Sequence, residues 1–355
     1  MRILSLNTNS GFEDSKLWCE HTTTITKIDP NWHGRSLVAK TMMVTRIARH
    51  FDVILLYSDL RLASLAGVVL SITAPSRGLV LQEFMRDLSD SPCSSRNVLG
   101  IVRDWLKEWS YRVLAHTIDA IVVHTSAEVD LYAKVLKVAQ SRFIFIPYFY
   151  YDDAYDWVTK YDPRSNWNLA RPKILAIGRH RDYQCFVNAL AGTSWRGSIV
   201  AGSSDREQID GKVPANVAVH YEVSRAEYRR HIAESNIVVL PFYADSWQRS
   251  LGQIAMFEAM LMHKPVIAAD TFQLADYASE REILYYRPGD AEHLRQQVRR
   301  LTGDQALRRR LIENAFSRIK EEFAKDKYIE RLISACEAVA RAKATRTLRR
   351  VNAAS

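Results

Sequence analysis

The 355-residue sequence contains no run of eighteen apolar residues, so it offers no helix long and apolar enough to span a bilayer. It has no C-x-x-C pair. Its four cysteines, Cys19, Cys93, Cys185 and Cys336, lie far apart, which argues against a structural zinc and for a reducing compartment. There is no G-x-G-x-x-G fingerprint, which weakens a dinucleotide reading. No block of Lys and Arg is interleaved with aromatics, which speaks against a nucleic-acid groove. The first residues, MRILSLNTNSGF, have too short an apolar part for a secretory leader and are expected to form a first strand.

What is present fits a globular chain of two ordinary domains, with 47% apolar and 25% charged residues. The 49 Lys and Arg against 40 Asp and Glu leave a net charge of +9, spread diffusely. Anionic small molecules or an anionic leaflet would suit that excess, and a plain solvated basic surface would too.

Short apolar runs alternate with helical patterns throughout, which argues for an α/β protein with two doubly wound domains facing a cleft. After a strand over 2–7, about two dozen residues lead to Asn31-Trp32-His33-Gly34-Arg35-Ser36. That is too long for an ordinary βα turn, so a functional or mobile loop is expected, followed by a helix from Leu37 to His50. A glycine between first strand and first helix is where such folds approach ligands. Gly34 and His33 are therefore candidate site residues, with a surface histidine as the alternative. Strands are expected at 51–57 and 78–84, with a helix at 64–70 between them. Glu83, at the carboxyl end of the second of these strands, is a candidate catalytic carboxylate or else a member of a surface pair. Residues 97–117 carry Val98, Ile101, Val102, Trp105, Leu106, Trp109, Val113 and Leu114 at helical spacing. This is a core-packing helix or, being basic and tryptophan-rich, a helix lying on a membrane. A strand at 119–123, a helix to Leu136 and a strand at 143–147 close this half.

Tyr148 to Arg171 reads as a linker, and strands are expected at 173–178, 197–201 and 217–221. Ser224 is placed to cap a helix over 225–235. Two basic amphipathic helices follow over 291–323, then a final helix over 324–345 and a disordered tail from Arg346.

The organising stretch is 237–276. Ile237–Leu240 reads as a buried parallel strand, Ser250 as a helix cap with Gly252 at the helix start, and Val266–Ala269 as the next strand. The helix between is apolar on nearly every face, so it should be buried all round, yet Glu258 sits in it. A buried carboxylate needs a partner. Either an Arg or Lys pairs with it, or it holds ligand hydroxyls such as a ribose diol. In the second case the free N–H groups at Leu251, Gly252, Gln253 and Ile254 would bind phosphate.

The segment S-L-G-Q-I-A-M-F-E-A-M-L-M-H-K-P-V-I, from Ser250 to Ile267, resembles the donor-site segment of GT-B glycosyltransferases, particularly glycosyltransferase family 4. That family's pattern runs roughly E-G-F-G-x-x-x-x-E-A-M-A-x-G-K-P-V-V. Glu258 matches its second glutamate, which holds the nucleotide ribose. Ser250 replaces the first, which contacts the sugar, and Gln253 is the residue available to take over by side chain and amide. His263 stands where the family has a small residue, and Glu222 where it has glycine. The run D-A-I-V-V-H-T-S…R-F-I-F-I-P-Y resembles the end of the family's first domain. G-R-H-R-D-Y-Q, from Gly178 to Gln184, resembles a loop whose Arg and Lys neutralise the donor diphosphate. The lysine is missing, so Arg179 and Arg181 are the available cations, Arg181 foremost. Its structural alternative is a pair with Asp182 or a helix end.

The resemblance implies a GT-B fold of two Rossmann-like domains, 1–160 on the acceptor side and 161–325 on the donor side. It implies a helix over 326–345 returning to the first domain, ahead of the 346–355 tail. It also implies a metal-independent, hexosyltransferase-like enzyme, retaining, in glycan or glycoconjugate biosynthesis. Arg179, Arg181, Ser250, Leu251, Gly252, Gln253, Ile254 and Glu258 would bind the donor, Arg181 and Glu83 would be catalytic, and His33 and Gly34 would lie on the acceptor side. No cofactor is expected. The substrates are a UDP- or GDP-linked sugar and a glycan, lipid-linked or small-molecule acceptor. The expected location is cytoplasmic, at the inner face of an anionic membrane. A nucleotide-sugar epimerase and a non-catalytic nucleotide- or polyanion-binding protein are the alternatives.

Overall fold

The computed structural model describes residues 1–7, 11–57, 60–82, 109–151, 170–211, 213–244 and 252–354. The chain forms two compact units. Met1–Pro147 with Asp326–Ser355 make the first, and Tyr148–Lys325 the second. The division falls after Pro147, earlier than the expected cut at 160.

The first unit holds a six-stranded sheet of β1 (Ile3–Ser5), β2 (Thr22–Thr24), β3 (Val53–Tyr57), β4 (Gly78–Gln82), β5 (Ala120–Val123) and β6 (Phe143–Phe145). Their order is β2-β1-β3-β4-β5-β6, with every pair parallel. Strands β3 to β5 are continuous apolar runs because both faces of a parallel sheet are covered. The long loop expected before Asn31 instead contains short regular elements. Ser15 caps a helix, Lys16–His21, by accepting from the Trp18 N–H at 3.4 Å. Strand β2 and a short helix, Ile25–Ile28, follow. Trp18, Phe12 and Ile25 bury what anchors them.

The helix expected over 64–70 runs Leu60–Thr73. Of the proposed helix over 97–117, residues 97–108 lie outside the described set. Residues 109–117 are helical and pack through Tyr111, Leu114 and Ala115, while Trp109 is exposed. The tail expected to be disordered is helical. One helix, Lys325–Ala354, runs through it and groups with the first unit. It packs through Tyr328, Ile329, Leu332, Ile333, Cys336 and Val339. Gly78 permits the close approach, since a Cβ there would stand 2.7 Å from Val339 Cγ1.

The second unit holds β7 (Lys173–Ile177), β8 (Arg196–Ala201), β9 (Val217–Tyr221), β10 (Ile237–Leu240), β11 (Val266–Ala269) and β12 (Leu284–Tyr286). All are parallel, in the order β12-β11-β10-β7-β8-β9. Chain order reverses between β7 and β10, and in doubly wound sheets ligands sit beyond the carboxyl ends of strands at such a reversal. The short strand β12, LYY, was not expected from the pattern. The helix Gln253–Leu261 lies deep in this unit, with Ala255 through Leu261 all buried.

Candidate functional site

The loop leaving β7 and the loop leaving β10 meet at this reversal. Gly178 (φ +126°) turns the chain out of β7, and His180 (φ +55°) donates its N–H to Asp205 Oδ1 at 2.9 Å. The Asp182 N–H donates to the Pro241 carbonyl at 2.7 Å, tying the two loops together. Asp182 also caps the helix Tyr183–Leu190, its Oδ1 accepting from the Cys185 N–H at 3.0 Å.

Between these loops Arg181 is buried, 3% exposed. Its guanidinium lies 4.3 Å from the centre of the Phe242 ring. It also passes two glycines closely. A Cβ at Gly178 would stand 2.8 Å from Nε, and one at Gly252 would stand 3.2 Å from Nη2. Among the described residues nothing hydrogen-bonds Nε or Nη1. The alternative of a pair with Asp182 is not realised, because that carboxylate is turned to the Cys185 amide. Burial pulls the guanidinium below its ordinary value, and the nearby Tyr183, Tyr228 and Asp205 offset only part of this. A desolvated cation that only partly feels the nearby Asp205 is costly, and an anionic ligand relieves that cost. Arg179, the second expected cation, is instead exposed and paired, with Nη2 3.1 Å from Glu222 Oε2.

The helix Gln253–Leu261 begins beside Arg181. Gly252 is its cap residue, at φ +95°, with no side-chain cap bond. The cap therefore falls two residues after Ser250, correcting that expectation; Ser250 and Leu251 themselves lie outside the described residues. Among the described residues no side chain caps this helix start, whose first N–H groups, at Gln253 and Ile254, are of the kind that bind anions. The Gln253 Nε2 donates to the Gln273 carbonyl at 3.0 Å, which ties this side chain to the loop after β11. Ile254 is half-buried.

Glu258 sits on that helix, buried as expected. Of the two readings left open, the ion pair is present. Glu258 Oε1 accepts from Arg225 Nη2 at 3.0 Å and from Arg229 Nε and Nη2, each at 3.2 Å. Both arginines belong to the helix Arg225–Glu234, which Ser224 caps in a reciprocal box with Glu227. Arg229 is buried and Arg225 half-exposed, its guanidinium 5.2 Å from the Tyr151 ring centre. Sequence reasoning missed these partners, although their i, i+4 spacing places both guanidiniums on one helix face. It also missed Phe242.

Two departures from the family pattern have a backbone explanation. Glu222 and His263 adopt left-handed conformations, φ +48° and +53°, which favour glycine. Glu222 offsets this by accepting from the Ser203 N–H at 2.7 Å, which with Arg179 holds its carboxyl below the usual range. His263 closes the helix C-terminus. Its N–H reaches Met260 O at 3.0 Å and the Lys264 N–H reaches Ala259 O at 2.9 Å, a Schellman arrangement.

In the first unit, His33 and Gly34 lie exposed on the 3₁₀ turn Trp32–Gly34. Glu83 lies outside the described residues. The carboxyl ends of β4 and β5 carry a buried cluster instead. Gln82 Nε2 donates to Tyr328 Oη at 3.2 Å, and His124 Nδ1 donates to the Ile146 carbonyl at 2.9 Å. Among the described residues no group of His, Cys, Asp or Glu could hold a metal ion.

Residues 171–304 match a family model described as glycosyl transferases group 1. No curated protein matches the chain. Among solved structures, the chain is similar to HepE of Anabaena in complex with UDP, at 14% identity and TM-score 0.69, covering 95% of this chain and 100% of that one. Its likeness to the UDP-glucose complex of HepE has 15% identity and TM-score 0.66, with the same coverage. For sucrose-phosphate synthase from Thermosynechococcus elongatus the values are 18% and 0.60, covering 90% of this chain and 78% of that one.

Proposed function

We propose that this chain, whose residues 171–304 match the glycosyl transferases group 1 model, is a glycosyltransferase that moves a hexosyl group from a uridine diphosphate sugar to an acceptor hydroxyl. The observation that carries this is the buried Arg181 beside the start of the helix Gln253–Leu261. Both point positive charge to one spot at the sheet's reversal, which suits a diphosphate. In the transfer, the bond from the anomeric carbon to the diphosphate oxygen breaks, and a bond to the acceptor oxygen forms as its proton leaves. Charge grows on the diphosphate, and Arg181 and the helix amides stabilise that growth. Uridine as the base and glucose as the sugar are supported by the UDP and UDP-glucose complexes of the similar HepE.

Glu258 is assigned to the ribose in this reading. Arg225 and Arg229 hold its carboxylate in place, and a diol would donate to it. The transfer is metal-independent, with retention at the anomeric carbon. The acceptor is a glycan or lipid-linked sugar met at the cytoplasmic side of an anionic leaflet. Free Cys19, Cys185 and Cys336 suit that compartment.

The test is thermal stabilisation by UDP, GDP and ADP and by their sugars, since a ligand that binds the folded state raises its stability by mass action. UDP is expected to stabilise the chain, and Arg181→Ala to abolish the effect. Stabilisation that survives this change would overturn the site, and stabilisation by GDP alone would overturn the base. Conversion of UDP-glucose without an acceptor would mark an epimerase instead.

A further inference from the structure

On the first unit, two neighbouring helices present a face unlike the rest of the described surface. Leu37–Ala48 and Leu60–Thr73 pack side by side over the sheet. Between them runs a groove of about 460 Å³ lined by Val38, Thr41, Met42, Thr45, Arg46, Leu65 and Val69. Val38 is 61% exposed, Met42 68% and Ile72 74%, and Leu65 is exposed beside them. Helical spacing explains the pattern: Val38, Met42, Arg46 and Arg49 form one stripe, and Arg61, Leu65, Val69 and Ile72 form another. Apolar side chains occupy the middle and arginines the ends.

The charge of this face is of one sign. Residues 30–51 and 60–82 contain no Asp or Glu. Arg35 is paired with Asp29, Arg77 lies 3.9 Å from Asp52, and Lys40 lies over the Trp32 ring. Arg46 and Arg61 have no carboxylate partner among the described residues. The basic end of Lys325–Ala354 adds to the same side. Lys343 is neutralised by Asp119, 2.9 Å away, and also donates to the Pro75 carbonyl at 3.3 Å, so the added charge is that of Arg346 and Arg349 beyond it, which are exposed.

We propose that the face formed by Leu37–Ala48 and Leu60–Thr73 docks flat on an anionic phospholipid bilayer. Val38, Met42, Leu65 and Ile72 enter the boundary between headgroups and acyl chains, and Arg46, Arg49 and Arg61 take lipid phosphates at its edge. Apolar side chains at such a boundary gain from burial, while each nearby cation gains from the negative surface potential. Long arginine stems suit the rim, where the head stays hydrated. A second copy of the chain fits poorly, because a two-fold contact here would bring arginines together with no acid to pair them. The inference rests on the placement at an anionic leaflet proposed above and names the surface that makes it.

The experiment is flotation of the full chain with vesicles of phosphatidylcholine alone, or of phosphatidylcholine with phosphatidylglycerol. It compares the native chain, Met42→Glu with Leu65→Glu, and Arg46→Glu with Arg49→Glu. The substituted positions are exposed, and circular dichroism with urea unfolding of each variant checks that the first unit stays folded. The native chain is expected to float with the phosphatidylglycerol vesicles only. Each pair of changes should lower that partition more than about tenfold, because each added cation near the surface contributes measurably. Flotation by the native chain that both variants retain would overturn the face while leaving the leaflet. No flotation, or equal flotation on neutral vesicles, would overturn both. A dimer that Met42→Glu with Leu65→Glu converts to monomer would show the face to be a self-contact and sink the proposal.

Discussion

The Arg181 guanidinium lies over the Phe242 ring, 4.3 Å from its centre, so a residue of the β7 loop is held in place by one of the β10 loop. This contact spans the point where strand order reverses and fixes the cation before any ligand arrives. Arg181→Ala should lower kcat/KM by about 10²–10³-fold, the range for losing one preorganised transition-state donor. Arg181→Lys should fall between, since an ammonium keeps the charge but not the planar stacking. Phe242→Leu should cost up to about tenfold, the reach of a partly desolvated cation–π contact. Steady-state kinetics with UDP-glucose, together with UDP titration calorimetry, checks the order.

Gly252 faces the same pair. At φ +95° any other residue is strained, and a Cβ there would stand 2.5 Å from Phe242 Cζ. Gly252→Ala should therefore lower stability by at least about 1–2 kcal/mol from the backbone alone. Its steric part should shrink in a Phe242→Leu background, so the two changes together should cost less than their sum. Urea unfolding of the four chains measures this, and strict additivity would refute the contact.

Glu258 separates a structural role from a binding role. Removing one member of a buried ion pair costs about 3–5 kcal/mol when the other charge is stranded. Half-exposed Arg225 can move to water, so the larger loss should follow Glu258→Leu and Arg229→Met singly, and a smaller one Arg225→Ala. The ribose assignment adds a distinct expectation for Glu258→Gln. It should weaken UDP far more than it weakens 2′,3′-dideoxy-UDP. Equal weakening of both, seen by calorimetry, would leave Glu258 with the arginines alone.

Legibility of the fold followed burial. β10 and β11 match the expected bounds because buried parallel strands are unbroken apolar runs. Strand β2 is three threonines at a sheet edge, and no hydrophobic pattern marks it. The Ser224 cap was readable, since Glu227 stands three residues on. At the site, the buried carboxylate of Glu258 was visible because a lone charge interrupted an apolar helix. Arg225 and Arg229 were not, because a basic i, i+4 pair on a polar helix looks the same whether it faces water or a buried acid. Phe242 follows a strand-ending proline, and only the tertiary approach of Arg181 gives it a task. From Arg346 onward only Leu348 and Val351 are large and apolar, too few to mark a buried face, a pattern shared by disorder and by an exposed helix end.

His124 gives a dependence on pH. Burial pushes its imidazole below the ordinary value, while the Ile146 carbonyl and Glu128 pull the other way. The folded chain thus keeps this ring neutral where the unfolded chain has begun to protonate. A lowered folded value means the unfolded state binds more protons below about pH 6.5, so stability falls as pH drops through that point. The limiting slope for one such group is about 1.4 kcal/mol per pH unit. His231, also lowered by burial, adds a second contribution. His124→Gln should flatten the loss between about pH 7 and pH 5 without abolishing it, as urea midpoints across that range would show. An unchanged slope would place the ring's titration elsewhere.

His263 tests the cost of a side chain where the backbone favours glycine. Its left-handed conformation, φ +53°, costs about 1–2 kcal/mol relative to glycine. Against this, its ring stacks on Phe316 with centroids 4.3 Å apart, worth about 0.5–1.5 kcal/mol. The two nearly cancel, so His263→Gly should leave the urea midpoint within about 1 kcal/mol of the native chain. His263→Ala keeps the strain and loses the stack, so it should be the least stable of the three. Asn tolerates the left-handed region, so His263→Asn should fall between Gly and Ala. If Ala proved as stable as Gly, the strain at this helix end would be absent and the family's preference for a small residue there would need another cause.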